Sequence, residues 1–193
     1  MIKIIRATTV PMSLNAFCAG MLKELSDKYE VVALSSPGED LEKEEKRECV
    51  RTISVSMERR ISLVRDLKAL IKMISVFHKE KPTMVHSMTP KAGMLCMLAG
   101  WLTRVPVRMY TFTGLVWPTS TGLKRKILML TDKLTCACAT HIIPEGQGVK
   151  HDLIAGKITK KPLKVLGYGN VKGVDMEQCS RRPEVQEMGL MNM

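Results

Sequence analysis

The sequence is poor in aromatic residues. Phe, Trp and Tyr together make up 4% of its 193 residues. That leaves no basic stretch interleaved with stacking rings, as single-stranded nucleic acid requires, and no nucleic-acid partner is expected. No uninterrupted apolar run approaches the ~20 residues of a spanning helix. The opening, Met1-Ile2-Lys3-Ile4-Ile5-Arg6, is too short and too charged for a secretory leader. There is no C-x-x-C pair, and the four histidines are not grouped with the six cysteines, so no metal site is expected. Cysteines set in apolar helical pattern fit a reduced, cytoplasmic protein. The loop after the first strand carries no G-x-G-x-x-G, and no G-x-x-x-x-G-K-[ST] occurs anywhere. Their absence argues against nicotinamide chemistry and against a P-loop nucleotide site, and no cofactor is expected.

What is present is aliphatic, sulfur-rich and basic. Hydrophobic residues reach 45%, with 15 methionines, and the net charge is +11. The length fits one substantial domain. Folding does not require so large a positive charge, which points to an anionic partner.

Apolar runs alternate with helical pattern along the chain. Strands are read at residues 2–7, 30–34, 50–55, 83–86, 106–112 and 141–144, with a last one at 163–166. Val31-Val32-Ala33-Leu34 is continuously apolar, as in a strand covered on both faces. Helices are read at 14–28, with Ser13 as cap, and at 40–48, the latter charged and solvated. Others are read at 63–80, 91–104, 122–138 and 147–154, with Leu67, Leu70, Ile71, Ile74 and Phe77 as the apolar stripe of the first of these. The alternation predicts an α/β domain: a Rossmann-like parallel sheet of six or seven strands, residues 2–7 near its centre, helices on both faces and right-handed crossovers.

In such a sheet, ligands bind at the carboxyl ends of the strands. The loops gathered there would offer Thr9, Pro11, Ser13, His86, Thr89, Lys91, Thr113, Gly114 and Glu145, with Pro90 starting a helix at a position where its missing N–H costs nothing. Hydroxyls, an imidazole, a lysine and a helix N-terminus suit a polyhydroxylated or phosphorylated ligand. Each also has a plainer reading. His86 ends an apolar strand, Lys91 can be a solvated first-turn residue, Gly114 a turn signal, and Glu145 an acid favoured by the helix dipole.

The segment Val85-His86-Ser87-Met88-Thr89-Pro90-Lys91-Ala92-Gly93 resembles the His-x-His-x-Pro-Lys-Ala-Gly stretch of bacterial family 4-like glycosyltransferases of the GT-B fold. Thr9-Val10-Pro11-Met12-Ser13-Leu14, Ser35-Ser36-Pro37-Gly38, Met57-Glu58-Arg59-Arg60-Ile61-Ser62, Tyr110-Thr111-Phe112-Thr113-Gly114-Leu115 and Leu166-Gly167-Tyr168-Gly169-Asn170 are similar to further segments of that family, in the same order. The resemblance implies the N-terminal, acceptor-binding half of a retaining, metal-independent enzyme of capsular or surface polysaccharide synthesis. Such an enzyme moves a sugar from a nucleotide diphosphate sugar to a lipid-linked saccharide at the inner membrane face. Met88 stands where the family often has a second histidine, and Thr113 where many relatives have one. Gly169-Asn170-Val171-Lys172-Gly173-Val174-Asp175 resembles the family's interdomain segment with two residues added. The expected division is residues 1–168 as the acceptor-side domain and 169–193 as crossover or tail. The last eighteen residues are too few for a donor domain, so the chain alone is expected to be inactive. The alternative is a non-catalytic basic module that docks on a membrane or a protein partner.

Residues 124–164 hold nine basic against three acidic residues. Lys124, Arg125 and Lys126 open this region beside a stripe of Leu123, Ile127, Leu130 and Leu134, with Trp117 just before them. Either the stripe faces the core and the cations are merely solvated, or the three cations and the Trp117 ring meet an anionic membrane surface.

Overall fold

The computed structural model describes residues 1–58 and 62–171. Residues 59–61 of the expected family loop, the expected crossover from residue 172 onward and Cys179 lie outside the described residues. The apolar runs form six strands: β1 (Lys3–Ala7), β2 (Glu30–Ser35), β3 (Arg51–Ser54), β4 (Met84–Ser87), β5 (Val107–Phe112) and β6 (His141–Pro144). Every pair is parallel, in the order β3-β2-β1-β4-β5-β6. β1 is central, as its sequence predicts: Ile5 sits in register with Val32 on one side and Val85 on the other. Strand order reverses at the β1–β4 junction, which is where an open parallel sheet presents its crevice.

Between the strands run α1 (Pro11–Cys18), α2 (Met21–Ser26), α3 (Glu39–Glu48), α4 (Leu63–Glu80), α5 (Pro90–Leu102), α6 (Gly122–Cys138) and α7 (Gln147–Ala155). Alternate residues of each strand face opposite cores. Val31 and Ala33 pack with Leu14, Cys18, Leu22 and Leu41 of α1–α3. Ile5, Ala7, Val32, Leu34 and Val85 face the larger core built with α4–α7. Within that core, α5 lies close on β5 because Gly93 has no side chain: a Cβ there would stand 2.2 Å from the Tyr110 ring.

Five local expectations are corrected. The helix read at 14–28 is two helices. It breaks at Gly20, whose φ of +80° suits glycine, and Ser13 is not its cap: Val10 holds that place and Pro11 starts the helix. The break is stabilised from α3, where the Glu48 carboxylate accepts from the Gly20 N–H at 2.9 and 3.0 Å and from the Lys23 N–H at 3.3 Å. Burial works to raise the Glu48 pKa, but these N–H groups and the Arg47 guanidinium outweigh it and hold it below the usual carboxylate value. So α3 is solvated on one face only; Glu44 and Glu48 are buried. In α4 the buried residues are Ala69, Met73, Val76, Phe77 and Glu80, whereas Leu67 and Ile71 are exposed. The seventh strand reduces to one parallel bridge between Ile142 and Leu163. Pro162 enters that stretch without a ladder donor, and Gly167, at a φ of +55°, turns it away.

Candidate functional site

The loops at the carboxyl rim are tied to one another by the hydroxyls that the sequence offers there. The Thr89 Oγ1 accepts from the Thr9 N–H at 2.8 Å and shares a hydrogen bond with the Thr9 Oγ1 at 2.8 Å. Thr9 Oγ1 in turn accepts from the Ala92 N–H at 3.2 Å. The cap of α5 is therefore supplied by the neighbouring loop rather than by Thr89, the residue at the cap position. Ser36 donates to the Thr9 carbonyl at 2.6 Å, and Thr113 donates to the Met88 carbonyl at 2.9 Å. These contacts fix the β1, β2, β4 and β5 loops in one rigid rim. Thr9, Thr89 and Thr113 are thus framework residues. Pro11 and Ser13 lie in the first turns of α1. Gly114 takes a φ of +132°, a conformation that other residues rarely adopt.

Lys91 is not solvated. Its ammonium meets the Asp66 carboxylate of α4 at 2.6 Å, both side chains largely buried. Asp66 Oδ2 also accepts from the Ser62 N–H at 3.2 Å. Nothing in the sequence marks this partner, which is 25 residues away. The pair forms one wall of a cavity of about 270 Å³ between α4, α5 and α6. Lys91 and Gly114 line it with Met94, Trp117, Ile127 and Asp132. Burial pushes the Asp132 pKa up to about 6. The Trp117 indole N–H faces this carboxyl short of hydrogen-bond geometry and offsets part of the rise.

His86 and Glu145 belong to the opposite side of the sheet, where they line a second cavity of about 420 Å³. His86 is buried between Arg6 and Thr111, bonded to the first through Nδ1 and to the second through Nε2 at 2.8 Å. Burial, and then the Arg6 charge, hold its pKa well below the ordinary imidazole value. Glu145 closes the rim through its backbone, donating to Phe112 and accepting from Asn170 at 2.7 Å. Of the nine rim residues, Lys91 and Gly114 therefore line one cavity and His86 and Glu145 the other, while Thr9, Pro11, Ser13, Thr89 and Thr113 line neither of the two. Sequence reasoning passed over Arg6, Asp66, Thr111 and Asp132; a charge inside the apolar run Ile4-Ile5-Arg6-Ala7 was the available signal for the first.

On α6 the stripe Leu123, Ile127, Leu130 and Leu134 faces outward, Leu123 at 73% and Leu130 at 67% exposure. Lys124, Arg125 and Lys126 are exposed in the first turns of the same helix. Leu63, Val64 and Leu67 of α4 are also exposed, and Leu63 and Ile127 both border the smaller cavity. Trp117 does not join this surface. It is 3% exposed, packed in the core, and the Arg125 guanidinium stands 5.6 Å from its ring centroid. Among the described residues no helix is long and apolar enough to cross a membrane.

A parallel six-stranded sheet, a rim of interlocked loops and helix-flanked cavities at the strand ends define one α/β half of a GT-B fold. The model of the glycosyl transferase 4-like domain matches residues 14–169, and the chain belongs to that family as its N-terminal domain. It is 39% identical over 178 residues to a capsular polysaccharide biosynthesis glycosyltransferase, CapM, of Staphylococcus aureus, covering 91% of this chain and 46% of the relative. A UDP-Gal:alpha-D-GlcNAc-diphosphoundecaprenol alpha-1,3-galactosyltransferase of Escherichia coli is 31% identical over 124 residues, covering 62% of this chain and 30% of that one. The chain thus spans less than half the length of these relatives. Among solved structures, Anabaena HepE in complex with UDP and glucose superposes with a TM-score of 0.68 at 15% identity, covering 100% of this chain and 51% of that one. At that identity the likeness is one of fold.

Proposed function

We propose that these residues form the acceptor-side domain, residues 1–168, of a retaining glycosyltransferase of surface polysaccharide synthesis, with 169–193 as its interdomain crossover or a tail. The substrates of that enzyme are a nucleotide diphosphate sugar and a lipid-linked saccharide. The observation that carries the reading is the cavity at Lys91, Gly114 and Asp132, which the exposed Leu63 of α4 and Ile127 of α6 border. On this reading an acceptor anchored in a bilayer enters past these apolar residues without its lipid crossing water. Lys124, Arg125 and Lys126 hold the α6 face against anionic headgroups on the cytoplasmic side of the membrane, which makes the protein peripheral. Taken alone, the 193 residues bind and position but transfer no sugar, because orientation of two substrates and exclusion of water require a second wall.

The test is co-sedimentation with phosphatidylglycerol-containing vesicles. Basic residues near such a surface contribute ~1 kcal/mol each, so reversing all three is expected to lower binding by at least a factor of about 100. Added salt is expected to weaken the parent in the same direction. A Lys124→Glu, Arg125→Glu, Lys126→Glu variant that sediments like the parent refutes the docking.

A further inference from the structure

The larger cavity raises a different question, independent of sugar transfer: Arg6 is a buried cation without an anion. It lies on the central strand at 6% exposure. No carboxylate of the described residues pairs with it. One terminal nitrogen donates to His86 Nδ1. The other faces only sulfur: Met88 at 3.3 Å, Met21 at 3.5 Å and Cys18 at 3.6 Å. Its Nε has no hydrogen-bond partner among the described residues. Sulfur is a weak acceptor, and a buried guanidinium left in this state is costly.

The neighbours are arranged for the same occupant. Arginine has no acceptor, so the His86 Nδ1 must accept and its Nε2–H must donate to Thr111 Oγ1, at 2.8 Å. Thr111 is buried and receives that bond, and its own hydroxyl proton has no acceptor among the described residues. Arg6 and Thr111, each with an unfilled donor, thus line one cavity of about 420 Å³. The remaining walls are largely apolar: Leu25, Met84, Met109 and Ile143. Glu145 borders the cavity too but forms no ion pair with Arg6. The helices on this side of the sheet, α1–α3, pack on Val31 and Ala33 of β2, which leaves the β4–β5 part of this face to the cavity.

We propose that Arg6, positioned by His86, and Thr111 form a binding site for an amphiphilic monoanion: a carboxylate headgroup received by the Arg6 guanidinium and the Thr111 hydroxyl, with its aliphatic body on the methionine-lined wall. One guanidinium balances one negative charge. A phosphate dianion would leave a net charge in an apolar cavity and is disfavoured there. An uncharged chain of the same length would leave the guanidinium as it is.

The probes are sodium octanoate, octan-1-ol and octyl phosphate, titrated into the purified chain by calorimetry with thermal unfolding in parallel. Octanoate is expected to bind saturably and to raise the melting temperature, at least tenfold more tightly than octanol or octyl phosphate. Arg6→Met is expected to abolish the preference for octanoate over octanol, with no fall in the melting temperature of the ligand-free chain, because it removes an unbalanced charge. Thr111→Val, nearly isosteric on a strand, is expected to weaken octanoate several-fold, and it carries the test if the Arg6 variant does not fold. Equal binding of octanoate and octanol to the parent overturns the proposal, as does unchanged octanoate binding in Arg6→Met or, if that variant does not fold, in Thr111→Val.

Discussion

Replacing Asp132 by asparagine is expected to stabilise the domain at neutral pH. Asp132 sits where α6 meets the smaller cavity, and burial moves its pKa from 3.8 to about 6. That displacement is about 2 pH units at ~1.4 kcal/mol each, so the ionised carboxylate costs the fold roughly 2–3 kcal/mol. The sign follows from proton counts. Between 3.8 and about 6 the folded chain holds the proton and the unfolded chain has released it. Stability contributed by this group therefore falls as pH rises through that window, and the full penalty applies above it. Urea unfolding followed by circular dichroism checks this directly. The advantage of Asp132→Asn over the parent should be near zero at about pH 4, grow through about pH 5, and level off at roughly 2–3 kcal/mol by about pH 7.5. An Asn variant equal to or less stable than the parent at pH 7.5 would refute the claim that burial governs this carboxyl.

Two further substitutions probe the frame that holds the site. Gly93→Ala places a Cβ 2.2 Å from the Tyr110 ring, so α5 must move off β5; a loss of ~2–3 kcal/mol in urea unfolding is expected, and a neutral result contradicts the close packing. Glu80 is held at about 2, mainly by Arg51 and also by Lys3, against the desolvation that opposes them. Its contribution is present above the ordinary value of 4.5 and is lost as pH falls toward about 2. Because the cluster lies beside solvent, Glu80→Gln should cost only about 1 kcal/mol at pH 7 and nothing near pH 2, read by the same unfolding assay.

How much of this was legible in the sequence depends on the range of the forces involved. Parallel strands buried on both faces leave apolar runs, so β1, β2, β4 and β5 are visible to within one residue at each end, and the central place of β1 follows. Pro90 marks the start of α5 because its constraint is local. The break at Gly20 is not local: its N–H is satisfied by Glu48, 28 residues later. Periodicity likewise showed that α4 and α6 are amphipathic but not what each apolar stripe meets. Leu67 and Ile71 face out although they share the period of Phe77, and the α6 stripe is exposed beside its lysines. At the rim, residue type marked hydroxyls and a lysine at the strand ends, yet could not show that Thr9 and Thr89 bind each other or that Lys91 is held by Asp66. Arg6 stood in plain sight as a charge inside the apolar run Ile4-Ile5-Arg6-Ala7, but its lack of a counterion among the described residues becomes visible only once His86, Thr111 and three sulfurs are placed around it.

The claim that this domain receives the acceptor is tested most directly by vesicle binding with and without the acceptor lipid. Vesicles carrying a polyprenyl-diphosphate-linked saccharide are compared with the same vesicles lacking it, in the presence of a radiolabelled UDP-sugar. The account predicts tighter, saturable sedimentation with the acceptor lipid, no retention of labelled nucleotide-sugar on the protein, and no label transferred to lipid. Saturable binding of the UDP-sugar by these 193 residues, with no gain from the acceptor lipid, would contradict it.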